Sequence, residues 1–118
     1  MTTQGKMRVK HLAAKLEGCK RDLLNDKKAL SELCKRTAKA IDMTIIDETS
    51  YKFNPHGVSV VLLLKESHIA LHSWPEFGLL DVEIVSCKET SDVFKGLKII
   101  AKAVGAKKIE TNFWEFSR

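Results

Sequence analysis

Residues able to do acid–base chemistry are concentrated in the middle of the chain. The segment 66–76 reads Glu-Ser-His-Ile-Ala-Leu-His-Ser-Trp-Pro-Glu and lies between two apolar runs. If Val58–Leu64 and Ser67–Trp74 form a hairpin with a two-residue loop, Ser59 lies directly opposite His72. A hydroxyl against an imidazole is a pair able to transfer a proton. The alternative is an ordinary hairpin with serine and histidine on its solvent-facing side.

The loop of this hairpin, Lys65-Glu66, is an unusual sequence for a tight turn. Two-residue hairpin loops favour Asn-Gly or Gly-X, because their backbone needs positive φ angles. The sequence therefore predicts either a longer loop or a strained backbone. Ser67 has the opposite strand parity to His72, so a site shared by the two requires the chain at Glu66-Ser67 to bend.

The elements that must position these residues are predicted from apolar spacing and from turn-forming residues. Strands are predicted at 7–16, 43–50, 58–64, 68–74, 80–87 and 107–116, and helices at 21–41 and 92–104. Asn25-Asp26 marks either an irregularity in the first helix or a later start with Asp26 as N-cap, and Ser91 is expected to cap the second helix.

This succession predicts an α+β fold, summarised as β-α-β-β-β-α-β with three strands counted between the helices. Strands joined by hairpins favour an antiparallel sheet, and the two helices are expected to pack on one of its faces. Strand residues on the other face are too apolar for open water. We therefore expect a second copy of the sheet to cover that face in a dimer.

The composition is that of a soluble globular protein. Hydrophobic residues make up 44% of the 118 residues and charged residues 30%, which favours a single domain over residues 1–118. No apolar run approaches the roughly 20 residues that span a bilayer, and residues 1–6 lack the apolar core of a signal peptide. We expect a cytoplasmic protein with no membrane partner.

Neither the cysteines nor the histidines have the spacing of a metal site. Cys19, Cys34 and Cys87 are widely spaced without a CxxC pair, which disfavours a disulfide framework and a cysteine zinc site. His68 and His72 share a strand face, but residues i and i+4 on a strand lie about 13 Å apart, too far for one ion. No metal is expected.

The net charge of +5 does not by itself indicate a nucleic-acid-binding protein. The lysines are dispersed along the two predicted helices and interleaved with acids, as on solvated helix faces. An alternative of another class is a small basic dimer that binds RNA through its sheet. It is disfavoured because only Trp74, among the aromatic residues of the central strands, offers a surface on which bases could stack.

The segment 66–76 resembles the processing-site signature of the small prokaryotic S-adenosylmethionine decarboxylase proenzymes, which are pyruvoyl-dependent. The upstream Phe53-x-Pro55-x-Gly57-Val58-Ser59 also matches, and so does Cys87 at the end of the following strand. The resemblance covers nearly all of the chain and is most specific over residues 53–87.

The resemblance implies self-cleavage between Glu66 and Ser67 into residues 1–66, the β chain, and residues 67–118, the α chain. The Ser67 hydroxyl would attack the Glu66 carbonyl, and elimination and hydrolysis would leave a pyruvoyl group. This ketone would form a Schiff base with the substrate amine in place of pyridoxal phosphate, without a metal. The implied activity is conversion of S-adenosylmethionine to the aminopropyl donor of spermidine biosynthesis.

Several residues match positions that have roles in this family. They are Ser67 as the pyruvoyl precursor, Ser59 and His72 as the processing pair, Cys87 as the proton donor to the product carbon, Phe53 as the aromatic that stacks on adenine, and Glu76 as the acid that binds the ribose hydroxyls. The resemblance further implies two active sites in a homodimer of processed αβ protomers, which agrees with the covered sheet face expected above.

Some positions depart from the usual pattern of the family, namely Val60, Lys65, Glu83 and Lys88. The two lysines add charge near the site, so a pyruvoyl-dependent arginine or ornithine decarboxylase is the alternative. Asp81 or Glu83 could then bind the cationic substrate. A non-cleaving regulatory homologue is disfavoured because the serine, histidine and cysteine of the expected site are all present.

Overall fold

One antiparallel sheet carries Ser59, Ser67 and His72 and ends beside the other candidate site residues. The computed structural model describes residues 8–117, and the predicted start of the first strand at Met7 lies outside them. The strands are β1 Arg8–Glu17, β2 Ile45–Lys52, β3 Val58–Leu64, β4 Ser67–Trp74, β5 Leu79–Ser86 and β6 Lys108–Ser117. The helices are α1 Arg21–Leu24, α2 Lys27–Ala40 and α3 Val93–Val104, with a single 3-10 turn at Pro75–Phe77.

The strand order across the sheet is β2-β3-β4-β5-β1-β6, and neighbouring strands are antiparallel throughout. The α+β class and the antiparallel sheet are confirmed. The summarised order undercounts the strands, because four rather than three lie between α2 and α3. Each of the four segments predicted there forms its own strand.

The first predicted helix is two helices, so three helices replace the predicted two. The irregularity predicted at Asn25-Asp26 is confirmed: α1 ends at Leu24, and the Asp26 side chain caps α2 by accepting from the Ala29 N–H at 3.0 Å. The predicted cap of the last helix is wrong. Asp92 rather than Ser91 caps α3, because its carboxylate accepts from the Lys95 N–H at 3.1 Å.

The hydrophobic core lies between the helices and one face of the sheet. Alternate residues of each inner strand point to this face, as the two-residue period of a strand requires. The largest fully buried side chains are Leu12, Leu16, Leu24, Leu30, Leu62, Leu64, Ile69, Leu71, Leu80, Ile84 and Ile100. Their removal from water is the main force that holds the helices on the sheet.

The opposite face of the sheet is not covered by any element within residues 8–117, and we call it the open face. It carries Leu63, which is 50% exposed, and the exposed ring of Tyr51 at its β2 edge. Toward β6, His11 stacks on Trp114 with ring centroids 5.1 Å apart. A dimer that covers this face stays a prediction. No helix within the described residues is long and apolar enough to cross a membrane.

Candidate active site

The β3–β4 hairpin has the register predicted from the sequence. Ser59 pairs with His72, and Leu64 pairs with Ser67. The Ser59 Oγ and His72 Nδ1 atoms lie 2.8 Å apart, within hydrogen-bond distance. The two groups can therefore pass a proton between them, and both side chains lie on the open face of the sheet.

The turn of this hairpin contains the strain that its sequence predicts. Lys65 and Glu66 form a two-residue turn, so the longer loop is not adopted. Glu66 has a φ of +64°, a left-handed conformation that costs a residue with a Cβ roughly 1–2 kcal/mol. The Lys65 N–H donates to the Thr44 carbonyl at 2.9 Å and so helps to hold the turn in place. A strained residue thus directly precedes Ser67.

Ser67 and Cys87 meet at the end of the sheet beside this turn. Ser67 is the first residue of β4, pairs with Ser86 of β5 and is only 8% exposed. Its Oγ accepts the Cys87 N–H at 3.1 Å. Burial raises the pKa of the half-buried Cys87 thiol, and the nearby Glu66 carboxylate raises that pKa further. Both effects favour the protonated form of the thiol.

Ser67 and His72 do not come together within one chain. The bend that a shared site requires at Glu66-Ser67 is absent, because Ser67 continues β4 and pairs with strands on both sides. Five residues of strand separate the two side chains by about 17 Å along β4. Ser67 also points to the helix side of the sheet, whereas His72 points to the open face.

The other predicted site residues share a cavity at the far end of the hairpin. This cavity has a volume of about 420 Å³ and is lined by Phe53, His56, Gly57, Ser59, His72, Ser73, Trp74 and Glu76. Phe53 is 46% exposed and packs edge-on against Tyr51, with ring centroids 4.8 Å apart. The size falls within the range of about 300–1,000 Å³ found for small-molecule sites.

The predicted site residues thus form two groups in one chain. The cleavage group consists of Glu66, Ser67 and Cys87. The cavity group consists of Phe53, Ser59, His72 and Glu76. Each group combines residues that are distant in sequence, but the two groups lie at opposite ends of β4.

A second concave region on the open face adjoins His72. Its volume is about 370 Å³, and its lining includes Lys15, Asp81, Glu83, Glu110 and Asn112. Glu83 is already engaged there, because its Oε1 lies 3.0 Å from His68 Nε2. No cluster of three metal-ligating side chains is found among residues 8–117.

Sequence reasoning missed two residues that hold the cavity together, Asn25 and Ser73. Asn25 was noted only as a break in a helix, and Ser73 only as part of a strand. The Asn25 Oδ1 accepts the Gly57 N–H at 3.0 Å, and the Ser73 hydroxyl accepts the Val58 N–H at 2.9 Å. Short polar residues at such places are too common to carry a signal of their own.

Comparison with known proteins gives a consistent result. The sequence model of the S-adenosylmethionine decarboxylase family matches residues 10–116. An S-adenosylmethionine decarboxylase proenzyme of Carboxydothermus hydrogenoformans is 40% identical over 98 residues, which cover 83% of this chain and 77% of that protein. One from Aquifex aeolicus is 33% identical over 105 residues, covering 89% of this chain and 78% of that protein.

The fold matches as well. The crystal structure of the adenosylmethionine decarboxylase of Aquifex aeolicus superposes with a TM-score of 0.86 at 30% sequence identity. The superposition covers 93% of this chain and 91% of that one. The family model matches nearly the whole chain, and both the sequence identity to the relatives and the shared fold agree with it. This chain belongs to the S-adenosylmethionine decarboxylase family.

Proposed function

We propose that this chain is a proenzyme that cleaves itself between Glu66 and Ser67 and then decarboxylates S-adenosylmethionine by means of the resulting pyruvoyl group. Its fragments are residues 1–66 and 67–118, and its product is the aminopropyl donor of spermidine synthesis. One observation carries the proposal. The Ser67 hydroxyl follows the strained Glu66 directly and accepts the N–H of Cys87, whose raised pKa favours the protonated thiol.

The proposed cleavage uses only groups of the chain and water. Ser67 Oγ attacks the Glu66 carbonyl carbon, the C–N bond breaks, and the acyl group moves to oxygen as an ester. Loss of the Ser67 Cα proton then expels that oxygen with Glu66, which becomes the carboxylate end of residues 1–66. Water replaces the nitrogen of residue 67, which leaves as ammonia, and a ketone remains. Ser59 and His72 exchange the protons that these steps require.

The surroundings of Ser67 fit a pyruvoyl group. The side chain is almost fully buried, and a backbone N–H already points at the oxygen that reacts. The pyruvoyl ketone supplies the electron sink that decarboxylation of an α-amino acid needs. Cys87 then delivers a proton to the substrate carbon, which a neutral thiol can do and a thiolate cannot.

The cavity group is proposed to bind the adenosine part of the substrate. The exposed ring of Phe53 offers a face on which adenine can stack. Glu76 lines the same cavity and can accept hydrogen bonds from two ribose hydroxyls. A nucleoside therefore meets one aromatic and one anionic contact in a space of suitable size.

The separation of the two groups supports a homodimer. Within one chain the cavity group lies about 17 Å from Ser67, too far for His72 to move a proton there. A two-fold axis that lies between the two sheets and runs across the strands reverses the strand direction of the second copy. If two copies pack through their open faces, the turn of one hairpin lies beside the cavity end of the other. The cleavage group of one copy then lies near the cavity group of the other, and Ser67, which points to the helix side of its strand, would be reached at the end of the sheet beside the turn.

The alternatives drawn from the sequence are not favoured. Glu83, a candidate carboxylate for an arginine or ornithine substrate, is paired with His68 at 3.0 Å. The charge of Lys88 is paired, because its Nζ binds the carboxylate of Asp42 at 2.9 Å. The relatives are named as decarboxylases of S-adenosylmethionine, which disfavours the RNA-binding alternative.

Substrate identity is tested by release of carbon dioxide from carboxyl-labelled S-adenosylmethionine, arginine and ornithine in parallel. Purified wild-type protein should release it from S-adenosylmethionine alone, and a Ser67→Ala variant should release none. Release from arginine or ornithine without release from S-adenosylmethionine would overturn the substrate. Release from none of the three would overturn the proposed activity.

A further inference from the structure

The loop 53–57, which brings Phe53 and His56 to the cavity, is fastened to the junction between α1 and α2. The Gly57 N–H donates a hydrogen bond of 3.0 Å to the Oδ1 atom of Asn25. Asn25 is half-buried and is the C-terminal cap of α1. A polar side chain 32 residues away in sequence thus holds the base of this loop.

A second set of hydrogen bonds joins the same junction to the strands that line the cavity. The buried hydroxyl of Ser73 donates to the Leu24 carbonyl oxygen at 2.6 Å and accepts the Val58 N–H at 2.9 Å. Ser73 lies between His72 and Trp74 in β4, and both of these line the cavity. The end of α1 is therefore connected to β3 and β4 at the point where the cavity opens.

The loop has little freedom between these ties. The Phe53 N–H donates to the Gly57 carbonyl at 2.8 Å, which closes the loop on itself. Gly57 has a φ of +110°, and a Cβ there would lie 3.2 Å from the Ser73 carbonyl oxygen. Only glycine fits this approach without strain. Gly57 has no side chain that could make a contact. The hydrogen bond from its N–H to Asn25 therefore holds the base of the loop against the junction between α1 and α2.

The break between α1 and α2 makes both ties possible. In a continuous helix the Leu24 carbonyl would already accept the N–H four residues later. With the helix interrupted, that carbonyl accepts from Ser73 and the Asn25 amide reaches Gly57. Asp26 then restarts the helix as N-cap of α2. The break between α1 and α2 thus frees two groups to bind the residues around the cavity. Local helix propensity alone does not explain this break.

We infer that Asn25 is a positioning residue for substrate binding, which through Gly57 fixes the loop 53–57 and with it the ring of Phe53. The inference rests on the proposed function, because it assigns Phe53 to the adenosine part of the substrate. Asn25 is expected to act on binding rather than on the chemical steps, because its side chain contacts Gly57 of the loop and takes no part in the Ser59–His72 pair.

The test compares Asn25→Ala with Asn25→Asp, which keeps an acceptor oxygen for the Gly57 N–H, and with Asp22→Ala on the same short helix. Asn25→Ala should raise the KM for S-adenosylmethionine about tenfold, the effect of losing one ordering hydrogen bond. Its kcat and its extent of self-cleavage should remain within about twofold of wild type. Asn25→Asp and Asp22→Ala should keep the wild-type KM.

Two further measurements separate positioning from a general loss of structure. Amide hydrogen exchange should quicken at Gly57 in Asn25→Ala and stay at its wild-type rate in β5. The Kd of 5′-methylthioadenosine, a nucleoside that lacks the α-amino group with which the substrate would form a Schiff base, should rise by the same factor as the KM. A wild-type KM in Asn25→Ala, or an equal rise in Asn25→Asp, would overturn the inference. If the proposed function itself is wrong, the wild-type chain will show it, because it will remain uncleaved or will leave S-adenosylmethionine intact.

Discussion

At the scale of single residues, the chemistry depends on where protons are held. Burial and, to a smaller extent, the nearby carboxylate of Glu66 raise the pKa of the Cys87 thiol and so favour its protonated form. The same residue presents its backbone N–H to Ser67 Oγ at 3.1 Å. One residue thus contacts the atom that reacts in cleavage and carries the proton proposed for decarboxylation. Ser59 and His72 form the second proton-carrying pair, 2.8 Å apart.

The pKa of Cys87 can be tested by its rate of alkylation with iodoacetamide. Only the thiolate reacts, so a raised pKa moves the rise in rate to higher pH. In the uncleavable Ser67→Ala background, Glu66→Gln removes a negative charge near the thiol. We expect the pKa to fall and alkylation of Cys87 to quicken at a fixed pH near 8. Burial remains, so part of the upward shift should persist.

The matched control for this experiment is Glu89→Gln, which removes an equal charge from an exposed residue two positions beyond Cys87. It should leave the alkylation rate nearly unchanged. The buried Cys19 and Cys34 serve as internal references, to be followed by peptide mass. Equal effects of the two substitutions on Cys87 would show that Glu66 has no specific influence on its thiol.

At the scale of elements, the β3–β4 hairpin is the part most fully predictable from sequence. Its register, in which Ser59 pairs with His72, follows from the apolar run of β3, the alternation in β4 and the two-residue gap between them. The poor turn sequence predicts either a longer loop or a strained backbone, and the structure has the second of these at Glu66. The ties made by Asn25 and Ser73 could not be predicted, because they join segments distant in sequence through single hydrogen bonds. The bend that a site shared by Ser67 and His72 would require within one chain is absent, because Ser67 pairs with β3 and β5 as part of a regular strand.

The strain at Glu66 predicts an effect on stability. In the Ser67→Ala background, Glu66→Gly should stabilise the protein against urea by roughly 0.5–1 kcal/mol, since glycine avoids the left-handed penalty but adds entropy to the unfolded chain. Lys65→Gly, on the other residue of the turn, should destabilise it, because only Glu66 of the two has a positive φ. A Glu66→Gly protein no more stable than Lys65→Gly would show that the turn is not strained.

At the scale of the whole molecule, the sheet has one face packed under helices and one open face. Exposed apolar and aromatic side chains, including Leu63 and Trp114, lie on the open face together with the Ser59–His72 pair. The sequence suggests a covered face because its strands are apolar on both sides. Which residues meet across that face cannot be predicted from the sequence, since the contacts depend on how two copies are oriented. The distance between the cavity group and Ser67 supplies the missing argument for a dimer.

Complementation between two inactive chains tests the shared site. The Ser67→Ala chain lacks the cleavable serine but keeps its cavity group, and His72→Ala has the reverse defect. Alone, His72→Ala should cleave at least about a hundredfold more slowly than wild type, the contribution of one acid–base group. Co-expressed with Ser67→Ala, the His72→Ala chains should be cleaved in mixed dimers, as read by mass. If His72→Ala chains are cleaved no faster in the mixture than alone, the cleavage group and the cavity group of a site belong to the same chain.

The central claim is that the bond before Ser67 is broken by the chain itself and leaves a ketone. Intact mass of the purified protein under denaturing conditions tests this most directly. Two fragments are expected: residues 1–66 with a free carboxylate, and residues 67–118 lighter by one ammonia than a fragment that begins with serine. A single full-length species after long incubation, or a second fragment that still begins with serine, would contradict it.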